Sequence, residues 1–212
     1  MFLPQHLNTI TISNSIITIS NTYTMDAAIK ILKFFLSHKE DKFTIKKIAE
    51  SLKINYRIAH EKVTKLEKDK LIKLVRVGNS KLCELTYNFN EKLFEAEYER
   101  RKDLLKNKDF RIIHNRLTEL KFPFIVLLFG SLAKGTANKH SDIDILTAGG
   151  EEKEIKAVIS LLPDKIHLTT VSYQNFIHMA KSKEFTVVSE AIKNNIILIG
   201  IEEYYRLLEN AN

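Results

Sequence analysis

The sequence predicts an α+β protein in two parts: an N-terminal helical part that ends in a β-hairpin, and a C-terminal mixed sheet with flanking helices. Three observations support this. Apolar residues recur at helical spacing between residues 26 and 70. A glycine-containing turn then separates two strand-like segments. Two short apolar runs farther along the chain are typical of buried strands, and 212 residues suffice for two small domains.

Positive charge is concentrated in one block of the chain. Residues 25–86 carry 15 Lys and Arg against 8 Asp and Glu, a net of +7, whereas residues 87–212 carry 18 of each sign. A localised positive field attracts polyanions such as nucleic acids. A lysine-rich solvated surface gives the same count, so charge alone does not decide between the two.

Several protein classes are disfavoured by composition. Cys83 is the only cysteine, which excludes an internal disulfide framework and a cysteine-based zinc site and favours a cytoplasmic setting. No apolar run approaches the ~20 residues of a membrane span. Residues 1–24 lack charged residues and the features of a secretory signal. This unassigned extension is either a short strand that adds to a sheet or the product of an early start codon, with Met25 as the true start.

Helix signals divide the N-terminal part into three helices. The first begins at Asp26, the second is capped by Thr44, and the third runs from about Asn55 to about Lys70. Strands 71–77 and 81–86 follow. The third helix is predicted to face the core with Ile58, Ala59, Val63 and Leu66.

This order of elements over residues 25–87 resembles a winged helix-turn-helix domain of archaeal or bacterial type, and Gly78-Asn79-Ser80-Lys81-Leu82 is similar to its wing. The resemblance implies DNA binding, with the third helix in a major groove. The alternative is that its polar face is merely solvated. Such domains are often dimers, and the helix over 88–106 is a candidate interface. The expected DNA contacts are Arg57, His60, Thr64 and Lys68 on the third helix, and Arg76 and Lys81 beside the wing turn.

Residues 88–108 are predicted to form a connecting helix, whose apolar positions are Phe89, Leu93, Phe94 and Tyr98. A second helix over 109–120 then opens a C-terminal domain that spans residues 109–212. Its remaining predicted elements are strands at 124–129, 141–146, 165–170 and 196–199 and helices at 172–181, 185–194 and 202–208.

The first of these strands ends in a turn suited to phosphate. Gly130 allows a sharp turn and a close approach of backbone to ligand. Ser131 follows where a short helix begins, so its hydroxyl and free backbone amides suit a phosphate, and Lys134 adds charge. On the next strand, Asp142 and Asp144 are two residues apart and therefore project from one face. Two such carboxylates are suitable ligands for Mg²⁺, which would also contact the phosphates.

The string G-S-x-x-x-G followed by S-D-x-D-x-L resembles the signature of the DNA polymerase beta-like nucleotidyltransferase superfamily, over about residues 110–200. The size is similar to that of its minimal members. The resemblance implies Mg²⁺ (or Mn²⁺) on Asp142 and Asp144 and an NTP, with ATP expected. The implied nucleotide-binding residues are Gly130, Ser131, Lys134, Gly135 and Ser141.

The sequence departs from that pattern at one position. The family supplies a third carboxylate from a later strand, and here His167 stands near the expected place. His167 could act as the base, because an imidazole accepts a proton near neutral pH. Asp164 or another acid could substitute for the missing carboxylate. Alternatively, the domain binds a nucleotide without transferring it.

Two functional hypotheses follow. One is a Mg²⁺-dependent nucleotidyltransferase that transfers NMP to an unidentified acceptor, such as a toxin-like partner protein, and is coupled to a DNA-binding domain. The alternative is a transcriptional regulator whose nucleotidyltransferase domain binds nucleotide but is inactive.

Overall fold

The computed structural model describes residues 8–12, 15–19, 25–88, 90–138, 140–162, 165–182 and 184–211. Within the N-terminal extension, β1 (Asn8–Ile12) and β2 (Ser15–Ile19) pair antiparallel with each other in a two-stranded sheet. Among the described residues of the extension, these two strands pair only with each other.

The N-terminal helices are α1 (Ala27–Leu36), α2 (Ile45–Leu52) and α3 (Tyr56–Lys68). Each begins after a side chain that accepts a hydrogen bond from the first turn: Asp26, Thr44 and Asn55. Lys53, in the left-handed region at φ 52°, makes the tight turn from α2 into α3. The three predicted helices are thus present, and Thr44 is the cap that the sequence predicts for the second.

One predicted core residue of α3 is wrong. Ile58 is 44% exposed, whereas Ala59, Val63 and Leu66 are fully buried. Spacings of four and three residues place these three side chains on one stripe, and position 58 lies off that stripe.

A hairpin follows, formed by β3 (Ile72–Val77) and β4 (Ser80–Leu85), in which Arg76 pairs with Lys81. A β-bridge from Phe43 to Cys83 ties the loop before α2 to this hairpin. Three helices followed by an antiparallel hairpin is the predicted arrangement for this part of the chain.

The connecting segment consists of α4 (Glu91–Leu104) and α5 (Lys108–Thr118). The buried face of α4 differs from the predicted stripe: it includes Glu97 and Arg100, whereas Tyr98 is 41% exposed. Phe89 lies outside the described residues. Since α4 packs on α1, its apolar face is used within the chain.

The C-terminal part is built on a mixed sheet of four strands: β5 (Phe124–Phe129), β6 (Ile143–Gly149), β7 (Ile166–Val171) and β8 (Ile196–Ile199). Their order in the sheet is β7-β6-β5-β8. β6 pairs antiparallel with β5 and parallel with β7, and β8 pairs antiparallel with β5. Every residue of β5 is buried, because helices cover both faces of the sheet. The chain is α+β, as the sequence predicts. The helices of this part are α6 (Gly130–Ala133), α7 (Glu152–Ser160), α8 (Tyr173–Lys181), α9 (Val187–Lys193) and α10 (Ile201–Ala211).

Helix α7 was not predicted from the sequence. The strand that begins near 141 in the prediction starts at Ile143 instead, so Ser141 and Asp142 precede it. Among the described residues, no helix is long and apolar enough to cross a bilayer.

A buried polar network joins the two parts of the chain. The Lys39 ammonium donates to Asn195 Oδ1 at 2.9 Å, and Arg100 donates to the Asn195 carbonyl at 2.7 Å. Arg100 also pairs with Glu97 at 2.8 Å, and the Tyr205 hydroxyl donates to Glu97. Burial lowers the pKa of Lys39 to about 7. The Glu97 carboxylate raises this pKa and the Arg100 guanidinium lowers it, but burial has the largest effect.

This pKa predicts a pH-dependent stability. Between about pH 7 and the ordinary lysine pKa of 10.5, the unfolded chain binds a proton at Lys39 that the folded chain does not. The free energy of unfolding therefore rises with pH in this window. From pH 7 to 8.5, we expect urea denaturation to show a rise of about 1–2 kcal/mol that is lost in Lys39→Met. Lys102→Met, at an exposed position, should keep the wild-type slope; equal slopes for all three proteins would contradict the assignment.

Candidate functional site

The turn after β5 lies directly against β6. Phe129, the last residue of β5, pairs with Asp144, and the chain leaves the strand at Gly130 with φ 69°. A Cβ added to Gly130 would lie 2.2 Å from Asp144 Oδ2. The carboxylate therefore occupies the space that any other residue's side chain would need, and this position requires glycine for both conformation and space.

Alternation along β6 separates the acid from the core. Ile143 and Ile145 are buried in the cluster that packs on α5 and α7, and Asp144 projects to the opposite face with 28% of its side chain exposed. Asp142 is exposed and lies one residue before the strand. The structure thus brings Asp144 to the turn and leaves Asp142 open to solvent beside it in the chain.

His167 is placed next to Asp144 by the parallel pairing of β6 and β7. The two residues are register partners, and His167 Nδ1 lies 3.4 Å from Asp144 Oδ1. The imidazole is 72% exposed. Asp164, the alternative acid, lies outside the described residues.

The segment between α6 and β6 contains a turn held by two side chains, which was not predicted from the sequence. Ser141 Oγ accepts from the Asn138 amide at 2.9 Å, and Asn138 Oδ1 accepts from the His140 amide at 2.8 Å. Asn138 and Ser141 thus fix the loop that delivers the chain to Asp142. The spacing Asn-x-x-Ser was the available signal, since both side chains often bond to nearby backbone.

Lys134 is not an isolated cation. Its ammonium forms an ion pair with Glu190 of α9, which is 56 residues away in the sequence. No local pattern could have identified this partner, because it depends on how α9 packs beside β5.

Gly135 differs from Gly130 in its surroundings. It has φ 71° and nothing within 4 Å of an added Cβ, so its role is conformational.

The side chains that could hold a metal ion near the Gly130 turn are few. Within the described part of the chain, no group of three or more His, Cys, Asp or Glu side chains is arranged to hold one. Mg²⁺ is commonly held by only one or two carboxylates together with substrate phosphates. Two carboxylates such as Asp142 and Asp144 would be enough for that mode, and the Gly130 turn lies against Asp144.

The candidate DNA contacts are mostly exposed. Arg57, His60 and Lys68 lie on the solvent side of α3, and the paired Arg76 and Lys81 lie on the hairpin. Among the described residues, none of the four Lys and Arg side chains forms an ion pair. Thr64 is the one candidate contact that is not exposed: it is half-buried, and its hydroxyl donates to the His60 carbonyl at 2.9 Å.

Comparison with known families bears on the second part of the chain. Residues 111–204 match the family model described as Polymerase beta, Nucleotidyltransferase. The match includes the turn, both acids, His167 and Glu190. It supports a nucleotidyltransferase domain over this segment, and with it the superfamily that the motif resembles.

Other comparisons add little. No curated protein matches the sequence. A solved structure of Lactococcus lactis ZitR, in a mutant form, is similar with 24% identity over 48% of this chain and 67% of that chain, at a TM-score of 0.33. That score is too low for the likeness to bear on function.

The contact between Gly130 and Asp144 can be tested against a matched glycine. Gly130→Ala and Gly135→Ala both place a side chain in the left-handed region, which costs about 1 kcal/mol or more. Only Gly130→Ala also displaces the Asp144 carboxylate. We expect it to lower the free energy of unfolding by at least about 1 kcal/mol more than Gly135→Ala in urea denaturation. Equal losses would contradict the close contact.

Proposed function

We propose that residues 109–212 form a Mg²⁺-dependent nucleotidyltransferase domain that transfers NMP from an NTP, with ATP the first candidate, to a hydroxyl acceptor. Residues 25–87 are proposed to bind DNA as a winged helix-turn-helix domain, and residues 88–108 to connect the two. A cytoplasmic location is part of this proposal. Residues 1–24 are not assigned a role.

The observation that carries the enzymatic proposal is the position of the Asp144 carboxylate against the Gly130 turn. A metal ion on Asp142 and Asp144 and a phosphate on the turn would be immediate neighbours. The family match over residues 111–204 independently supports this class of domain. When bound, Mg²⁺ would offset charge on the phosphates and help orient the α-phosphorus for attack.

The protein groups have separate tasks in the reaction. The Gly130-Ser131 amides and the Ser131 hydroxyl hold the triphosphate, and Lys134 contributes charge. The acceptor oxygen forms a bond to the α-phosphorus while the bond to the leaving pyrophosphate breaks. The acceptor's proton passes to His167 as general base.

The contact of His167 with Asp144 supports that role. In the tautomer that carries its proton on Nδ1, the ring nitrogen 3.4 Å from the carboxylate, the imidazole has the lone pair on Nε2 free to accept a proton. The ring is largely exposed, so an acceptor can reach it from solvent.

One observation favours the alternative, a nucleotide-binding regulator without activity. The described residues provide no third carboxylate beside Asp144, because His167 occupies the corresponding strand position. A neutral imidazole is a poor ligand for Mg²⁺ and contributes no negative charge for a second ion. Nucleotide binding without transfer would be the result that supports this reading.

DNA binding is supported by charge that the protein leaves unpaired. Arg57, Lys68, Arg76 and Lys81 have no ion-pair partner among the described residues. Exposed cations of this kind contact phosphates, and their counterion exchange makes binding depend on salt. They lie on α3 and the hairpin, which are the elements a winged helix presents to DNA.

Transfer can be tested with radiolabelled ATP, CTP, GTP and UTP added to cell extract with the full chain and Mg²⁺. We expect one label to enter an acceptor. Asp142→Ala combined with Asp144→Ala should reduce transfer at least about a hundredfold, because phosphate charge is no longer offset. His167→Gln should reduce it by about 10²–10⁴-fold, and Glu152→Gln, on α7, should not. Failure of every label to transfer, or transfer that survives loss of both acids, contradicts the enzymatic proposal.

DNA contact can be tested on a duplex from upstream of the protein's own gene. Arg57→Ala and Lys68→Ala should weaken binding, and Arg76→Ala or Lys81→Ala should each lower the slope of log affinity against log salt by about one. Lys153→Ala, an exposed lysine of α7, serves as the control and should leave both unchanged. Unaltered affinity in the α3 variants would show that this face is wrongly assigned.

A further inference from the structure

We propose that helix α9 transmits occupancy of the nucleotide site to the N-terminal domain by an exchange of ion-pair partners. The inference rests on the proposed nucleotide site and adds its regulation. Its basis is that α9 contacts the phosphate-facing turn through Glu190 and the segment after α1 through Lys193 and the Ile192 carbonyl.

The contact with the nucleotide site is the ion pair between Glu190 of α9 and Lys134 of the turn. Both side chains are partly exposed, at 24% and 41%, so the pair is weak enough for a better partner to compete. A triphosphate on the turn carries several negative charges. It therefore draws Lys134 toward itself and leaves Glu190 without its partner.

The contacts with the N-terminal domain lie one turn farther along the same helix. Lys193 is 3.7 Å from Glu40, in the loop after α1. The neighbouring Lys39 donates to the Ile192 carbonyl at 3.4 Å and to Asn195 Oδ1 at 2.9 Å. The loop between α1 and α2 is thus attached to the C-terminal end of α9.

Helical geometry connects the two ends. Glu190 and Lys193 are three residues apart and lie on the same side of α9, where side chains of opposite charge can pair. Once Lys134 turns to the phosphates, Lys193 becomes the nearest cation on α9 for Glu190. Lys193 then leaves Glu40, and the loop after α1 loses one of its attachments.

The helix itself is built to hold its shape during this exchange. Its first turn is fixed by a reciprocal pair of hydrogen bonds, in which Thr186 Oγ1 accepts from the Ser189 amide and Ser189 Oγ accepts from the Thr186 amide. Val188 and Ala191 anchor its buried face. The change is therefore confined to the charged side chains and the loop they hold.

Hydrogen exchange of the full chain tests the proposal, with Mg²⁺ and a non-hydrolysable ATP analogue as the probe. In the wild type, we expect nucleotide to raise amide exchange in residues 37–43 about fivefold or more, the lower range of allosteric coupling. Glu190→Gln keeps the side-chain shape but not the charge. Without a charged Glu190, Lys193 stays with Glu40, so we expect no nucleotide-dependent change in this variant.

Two further variants sharpen the test. Lys193→Gln removes the attachment outright, so exchange in residues 37–43 should already be high without nucleotide, and nucleotide should add no further change. Glu152→Gln is the matched control, because it breaks an ion pair of the same kind, with Lys156 of α7. It should respond as the wild type does.

The outcomes separate this inference from the proposed function. Calorimetry on the same samples measures nucleotide binding directly. Binding by the wild type without a change in residues 37–43, or a wild-type response in Glu190→Gln, overturns the exchange of partners alone. Absence of binding overturns the proposed nucleotide site and the inference with it.

Discussion

The close approach of the Asp144 carboxylate to the Gly130 backbone is the constraint on which the candidate site depends. It follows from the antiparallel pairing of β5 with β6, which sets Asp144 opposite the last residue before the turn. A shift of one residue in this register would send the carboxylate into the apolar cluster beneath the sheet. The buried Ile143 and Ile145 prevent such a shift, because their side chains would then face solvent. The hydrophobic pattern of one strand therefore fixes the geometry of a polar site.

The buried polar network that joins the two parts of the chain differs physically from the candidate site beside Gly130. Glu97 and Arg100 are almost wholly buried, and their charges are matched by each other and by Tyr205 and Asn195. Such pairs contribute little net stability over apolar packing, but their loss on one side is costly. They specify how α4 sits against the sheet more than they strengthen the contact. The interface therefore favours one relative placement of the two parts.

The parts predictable from the sequence were those encoded locally. The Thr44 cap, the starts of the first and third helices near Asp26 and Asn55, and the bounds of β5 and β8 followed from nearby residues. The motif also placed Asp144 beside the turn. The sequence could not supply what long-range packing decides: the Lys134–Glu190 pair and the contact of Lys39 with Asn195. Helix α7 was not predicted, although Glu152 and Glu154 in its first turn are residues typical of a helix start.

The burial of Lys39 against Asn195 also bears on how such a protein can be recombined. A half transplanted onto another partner would carry a buried amine, or the Glu97–Arg100 pair, to a surface without a counterpart. Exchanging one half for that of another protein is therefore expected to lower stability, unless the contacting residues of both halves are exchanged together. The two halves form a matched set, and substitutions in the loop at 38–40 are constrained by residues near 195, more than 150 positions away.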